Sequence, residues 1–253
     1  MIDLTVDGHV ATITLNRPEA KNAVDGGVAR GIEEAVDRLE GDDDLWVAIL
    51  THAGDVFCAG ADLKAINAGR AAELSTERGG FGGFVRRART KPVIVAAEGP
   101  ALAGGCELAL AADLIVASTA ARFGLPEVKR SLVAAGGGLF RLPRAVPEKV
   151  AMEVARTGEP LSAERAHHFG LVNRLTEPGG ARQEARALAA QITATAPIAV
   201  RESRRIVLAA ATASDDELWA MSFAGIAAAM SSEDLGEGLV AFLERRPPVW
   251  TGR

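Results

Sequence analysis

The chain reads as an α/β protein with a helical C-terminal region, and three observations predict it. The apolar runs WVAILTH, KPVIVAAEG and DLIVAST stand between helical stretches, as parallel strands buried on both faces do. The first fifteen residues alternate apolar and polar positions around an Asp7-Gly8 dipeptide, a hairpin signal. Helical patterns then dominate the last third of the chain. An α/β core over residues 1–175 and a helical region over 176–253 follow. At 253 residues, 48% hydrophobic and 24% charged, the chain is long enough to bury one substantial core.

In chain order, LTVDGHVATITL forms the antiparallel pair. DGGVARGIEEAVDRLE carries helix periodicity through Val28, Ile32, Val36 and Leu39, and the run Asp42 to Asp44 closes that helix with a polar loop. WVAILTH is a buried strand, and a helical insertion separates it from the strand KPVIVAAEG. A short helix over Cys106 to Ala112 leads to the strand DLIVAST. From Pro147 the pattern is helical through PEKVAMEVARTG and SAERAHHFG, with Ser162 as the N-cap of the second helix. LVNRL is extended. The remaining helices break at Pro197 and near Ser214.

A net charge of −5 argues against a general nucleic-acid binder, whose phosphate contacts favour a basic face. No apolar run reaches the length of a membrane span without a charge. Cys58 and Cys106 have no metal-type spacing with the four scattered histidines, so the reading is a reducing compartment, no metal and a cytoplasmic location. The basic residues Arg86, Arg87, Arg89 and Lys91 read as a solvated helix face that could also meet phosphates.

Three segments have the makings of a site. In VFCAGADL, Ala59, Gly60 and Ala61 are small enough for a ligand to approach the backbone, although small residues also serve tight packing alone. In ALAGGCELAL, Gly104 and Gly105 stand where a strand hands over to a helix, whose first amides are unpaired and lie at the positive end of its dipole. Glu107 is the one charge in that run, and a buried carboxylate needs a partner, a raised pKa or an edge position. Capping its own helix and catalysis are equal readings for it. In RFGLPEVKRS, Glu127 follows Pro126 just beyond a strand, either as a functional carboxylate or as an ordinary loop charge. Two such carboxylates could flank one substrate atom as acid and base if the fold brings them together.

In their order and separations, FCAGADL, ALAGGCELALAADLIVAS and ARFGLPEV resemble the enoyl-CoA hydratase/isomerase, or crotonase, superfamily; NRPEAKNAV, RTGEPLSAERAHHFGLVNRL and the FLERRPPVWTGR ending fit as well. The resemblance implies a spiral of ββα units followed by a helical region that drives trimer formation, with trimers pairing into hexamers, and that covers the substrate site. It implies a coenzyme A thioester substrate, no separate cofactor, and a thioester oxygen held by the backbone amides of Ala59 and Gly104. Glu107 and Glu127 fall on the two glutamates with which hydratases of this family add water. Gly60, Ala61, Asp62, Leu63 and Pro126 continue the substrate-binding motifs, and Lys21 falls in a loop that approaches the CoA. The expected reaction is reversible hydration of a trans-2-enoyl-CoA to a 3-hydroxyacyl-CoA. A carnitinyl-CoA-type dehydratase, a Δ3,Δ2-enoyl-CoA isomerase and a non-catalytic acyl-CoA-binding protein are the alternatives. Ser131 and Ala134-Ala135 depart from the glycine and proline-glycine of many relatives, which bears on the acyl group. The GGG run 136–138 is read as close packing at a helix start.

Overall fold

The computed structural model describes all residues, Met1–Arg253. Strands β1 (Ile2–Asp7) and β2 (Val10–Leu15) form the expected hairpin, with Gly8 in the left-handed region at φ +54. Helix α1 (Gly26–Gly41) follows, started by the Asp25 side chain, which accepts from the Val28 N–H. Strand β3 (Val47–His52) is buried along its whole length. Beyond it lie the short helix α2 (Leu63–Asn67), a small hairpin of β4 (Ser75–Thr76) and β5 (Gly80–Phe81), strand β6 (Val93–Ala97) and β7 (Ala101–Leu102). Helix α3 (Gly104–Ala111) leads to β8 (Leu114–Ser118) and β9 (Arg122–Gly124). Helices α4 (Gly138–Ala145) and α5 (Glu148–Thr157), strand β10 (Leu161–Ser162), helix α6 (Ala163–His168) and strand β11 (Arg174–Thr176) complete the α/β part. Helices α7 (Ala181–Thr193), α8 (Pro197–Ala209), α9 (Asp215–Met230) and α10 (Asp234–Glu244) end the chain.

The main sheet has the order β1-β2-β3-β6-β8-β11, parallel from β2 onward. Alternate residues of β3 serve different layers: Ala48 and Leu50 join the larger core with α1, while Val47 and Ile49 pack with α7 through Ala181, Ala185 and Ala189. Strands with both faces covered have no polar side, which explains the unbroken apolar runs. A second sheet, β10-β9-β7, lies against the turn after β3 through a parallel bridge between Cys58 and Ala101.

Three elements differ from the expectation. The insertion after β3 has only five α-helical residues and a 3-10 turn at Ala71–Leu74, and its last part is not helical where Gly80, Gly82 and Gly83 take positive φ and a side chain at Gly83 would strike the Ala29 carbonyl. Helix α4 starts nine residues before Pro147 and carries Pro143 inside it. Helix α7 lies in the 176–253 region yet supplies the second face of the core, whereas α8 to α10 bury little of their own surface. Trp219, Phe223, Phe242 and Leu243 stand exposed on these last helices. No helix is long and apolar enough to cross a membrane.

Candidate active site

The turn that leaves β3 is shaped by two neighbours. Asp62 caps α2 by accepting from the Lys64 N–H (2.8 Å) and the Ala65 N–H (3.3 Å), and its other oxygen takes Arg17 Nη2 at 2.7 Å. The Arg17 hydrogen bond holds the Asp62 carboxyl below the usual carboxylate range. Val24 pairs with the turn from the other side: its N–H donates to Gly60 O and its carbonyl accepts from Asp62 N–H. In that parallel bridge the N–H of Ala61 points away from Val24.

This pairing corrects the expected donor. The Ala59 N–H donates to the Lys21 carbonyl at 3.1 Å and is not free, and the Gly60 N–H meets Cys58 Sγ at 3.4 Å. Ala61 has no acceptor for its N–H and faces the open cleft. Lys21, at φ +53, thus acts in the turn through its carbonyl while its exposed side chain borders the cleft. Gly60 lies beneath the surface at φ +96, where a Cβ would meet Ala103 Cβ at 2.8 Å and Gly104 N at 3.0 Å.

The second turn abuts the first. Ala103 adopts φ +52, ψ −128, a conformation that costs a side-chain-bearing residue roughly 1–3 kcal/mol, and its N–H is tied to the Gly124 carbonyl at 2.9 Å. Gly104, the first residue of α3, has no acceptor for its N–H. The paired glycines are needed for space. A Cβ at Gly104 would lie 2.3 Å from the Phe81 ring, and one at Gly105 would lie 2.1 Å from the Cys58 carbonyl oxygen.

Glu107 is buried, and its carboxylate reaches out of its own helix to the start of α4. Oε1 accepts from the Gly138 N–H at 2.9 Å, and the Gly136 amide lies near enough to favour the charged carboxylate. The GGG run is therefore more than close packing. A Cβ at Gly136 would stand 2.5 Å from Glu107 Oε2, and one at Gly138 would stand 3.1 Å from Glu107 Cγ. Burial pushes the Glu107 carboxyl up, while the two amides and the Arg141 charge oppose that rise.

Glu127 sits on a single 3-10 turn, Pro126–Arg130, whose first position Pro126 fits without losing a needed donor. The turn closes at Ser131 with φ +55, where glycine would be unstrained. Burial raises the Glu127 carboxyl, and the neighbouring charge of Glu107 raises it further. Its Oε2 is buried with no partner. Such an orphaned acceptor fits a site that completes its hydrogen bonds with water or substrate.

Both glutamates line one cleft of about 1360 Å³, together with Lys21, Ala59, Ala61, Asp62, Leu63, Gly104 and Pro126. The two carboxylates border the same cleft, and the charge of Glu107 is felt at Glu127. Of the basic cluster, only Arg86 borders the cleft. Arg87 pairs with Asp37, Arg89 stacks on Phe84 and donates to Ala111 O, and buried Lys91 caps the end of α1 through Leu39 O and Asp42 O. Arg141, a cleft residue beside Glu107, was not among the expected ones; a glycine run opening a helix, a common anion seat, was the available signal.

Residues 5–253 match the family model described as Enoyl-CoA hydratase/isomerase. The chain is 40% identical over 258 residues to the carnitinyl-CoA dehydratase of Proteus mirabilis (strain HI4320), covering 100% of this chain and 98% of that one. Its structure superposes on an enoyl-CoA hydratase from Mycobacterium tuberculosis H37Rv with a TM-score of 0.96 at 51% identity, covering 100% and 99% of the two chains. A carnitinyl-CoA hydratase from Mycobacterium avium gives a TM-score of 0.77 at 41% identity, covering 100% and 98%. With this crotonase fold and these relatives, the chain is an enzyme of hydro-lyase type and belongs to the enoyl-CoA hydratase/isomerase family.

Proposed function

We propose that the protein adds water reversibly across the 2,3 double bond of a trans-2-enoyl-CoA, giving a 3-hydroxyacyl-CoA. The observation that carries this reading is that a buried and a half-buried carboxyl, Glu107 and Glu127, both with raised pKa, border the cleft that also holds two unpaired amides. The thioester oxygen sits between the N–H groups of Ala61 and Gly104. As the oxygen of water bonds to C3, the π electrons shift through C2 onto that oxygen, and the two donors stabilise the enolate. Each is worth roughly 3 kcal/mol, by comparison with oxyanion holes elsewhere. Glu107, held by the Gly138 N–H at the start of α4, takes the proton from the water. Glu127, held towards its protonated form, delivers a proton to C2 and holds the water through its free oxygen. Lys21 and Leu63 border the CoA end. No cofactor beyond the CoA of the substrate takes part, and a cytoplasmic location belongs to the same proposal.

A second reading has support in the carnitinyl-CoA names of relatives about 40% identical: elimination or addition of water on an acyl group that bears a quaternary ammonium. The same four groups serve it. A Δ3,Δ2-isomerase needs only one proton-shuttling carboxylate, so the second glutamate argues against it.

The test uses purified protein and enoyl-CoA thioesters with neutral and with trimethylammonium-bearing acyl groups, followed by loss of the conjugated thioester absorbance. Glu107→Gln and Glu127→Gln are each expected to lower turnover by about 10² to 10⁴, with thioester binding kept. Full turnover in either variant sinks the paired-carboxylate mechanism. Binding without turnover of any thioester by the unmodified protein leaves the non-catalytic alternative.

A further inference from the structure

Arg141 is a charged cleft residue whose chemistry the reaction does not use. It lies on the first turn of α4, partly buried, and makes no ion pair with any carboxylate. Its guanidinium is committed to carbonyls instead: Nη1 donates to Gly136 O at 3.0 Å and Nη2 to Val85 O at 2.5 Å. The Phe140 ring lies 5.0 Å from its Cζ. Gly137, at φ +100, leaves room for it, since a Cβ there would stand 2.0 Å from Nη1.

We propose that Arg141 is the positioning residue of Glu107, clamping the 136–138 loop to the segment that carries Val85 so that the Gly136 and Gly138 amides stay on the carboxylate. The chain of contacts is continuous. Arg141 fixes the Gly136 carbonyl, the same loop presents the Gly138 N–H to Oε1 of Glu107, and the Val85 carbonyl anchors the other arm of the fork. A planar guanidinium can bridge two carbonyls in fixed directions, which a lysine ammonium does not reproduce. The charge contributes too. The ionisable groups facing Glu107 are Glu127, the Cys106 thiol, which burial keeps protonated, and Arg141, so Arg141 is the one cation that favours its carboxylate.

This inference rests on Glu107 being the group that handles water. Arg141→Met, Arg141→Lys and Glu107→Gln are assayed together over a range of pH, with melting temperatures alongside. Arg141→Met is expected to lower kcat about 10²-fold, as a misplaced catalytic group does, with KM little changed. Its acid limb of kcat/KM moves to higher pH, because loss of the cation lets the Glu107 pKa rise. Arg141→Lys keeps the charge and loses the fork, so its acid limb returns towards that of the unmodified protein while kcat stays low. Unchanged kcat in Arg141→Met, a loss confined to KM, or a lowered melting temperature with an unmoved acid limb overturns the proposal. If Arg141→Met does not fold, Arg141→Lys decides, and unmodified kcat in it overturns the clamp. An active Glu107→Gln defeats the water-handling role itself; an inactive one beside an unaffected Arg141→Met defeats the clamp alone.

Discussion

At the scale of single residues, the site is a contest between burial and specific donors. Glu107 and Glu127 both lose hydration, but Glu107 gains two amides and a guanidinium while Glu127 keeps an oxygen without a partner. The consequence for stability has a definite sign. A carboxyl whose folded pKa lies above its ordinary 4.5 contributes stability below that value and loses it as pH rises through the folded pKa. Glu127→Gln removes the loss, so its melting temperature relative to the unmodified protein should climb from below pH 4.5 to neutral pH. A difference that stays constant over that range contradicts the assignment. The family resemblance pointed to both glutamates and to Gly104. It could not single out Ala61 over Ala59, because the choice depends on how Lys21 and Val24 pair with the turn, some forty residues away in sequence.

At the scale of elements, two tight turns are pressed together so that their free amides face one cleft. Gly60 is the contact point, at φ +96 with Ala103 and the Gly104 nitrogen against it. Gly60→Ala should push the turns apart, costing about 1–3 kcal/mol of stability and roughly 10²-fold in turnover. Thermal melting and steady-state kinetics check this, and full activity would mean that the turns do not need to touch. The hairpin, the three buried strands, the Asp42 to Asp44 loop, the cap at Ser162 and the break near Ser214 were legible locally, since each rests on a period or on a residue that caps or interrupts a helix. The seat of Glu107 was not, because its donor Gly138 is 31 residues further along and belongs to a helix that Pro143 conceals.

At the scale of the molecule, a sheet covered on both faces supplies a rigid base, and the chemistry sits in the turns beyond its strands. The C-terminal helices add a face with Trp219, Phe223, Phe242 and Leu243 exposed, and we propose that copies of the chain cover it by forming the trimer or hexamer that the family resemblance implies. The central claim is that one acyl thioester lies between the amides of Ala61 and Gly104 and between the carboxylates of Glu107 and Glu127. A crystal structure with a bound 3-hydroxyacyl-CoA measures it directly and shows the assembly as well. The account predicts the thioester oxygen about 3 Å from both amide nitrogens, with the 3-hydroxyl between the two carboxylates. A thioester oxygen away from either amide, or a 3-hydroxyl out of reach of the glutamates, would contradict it.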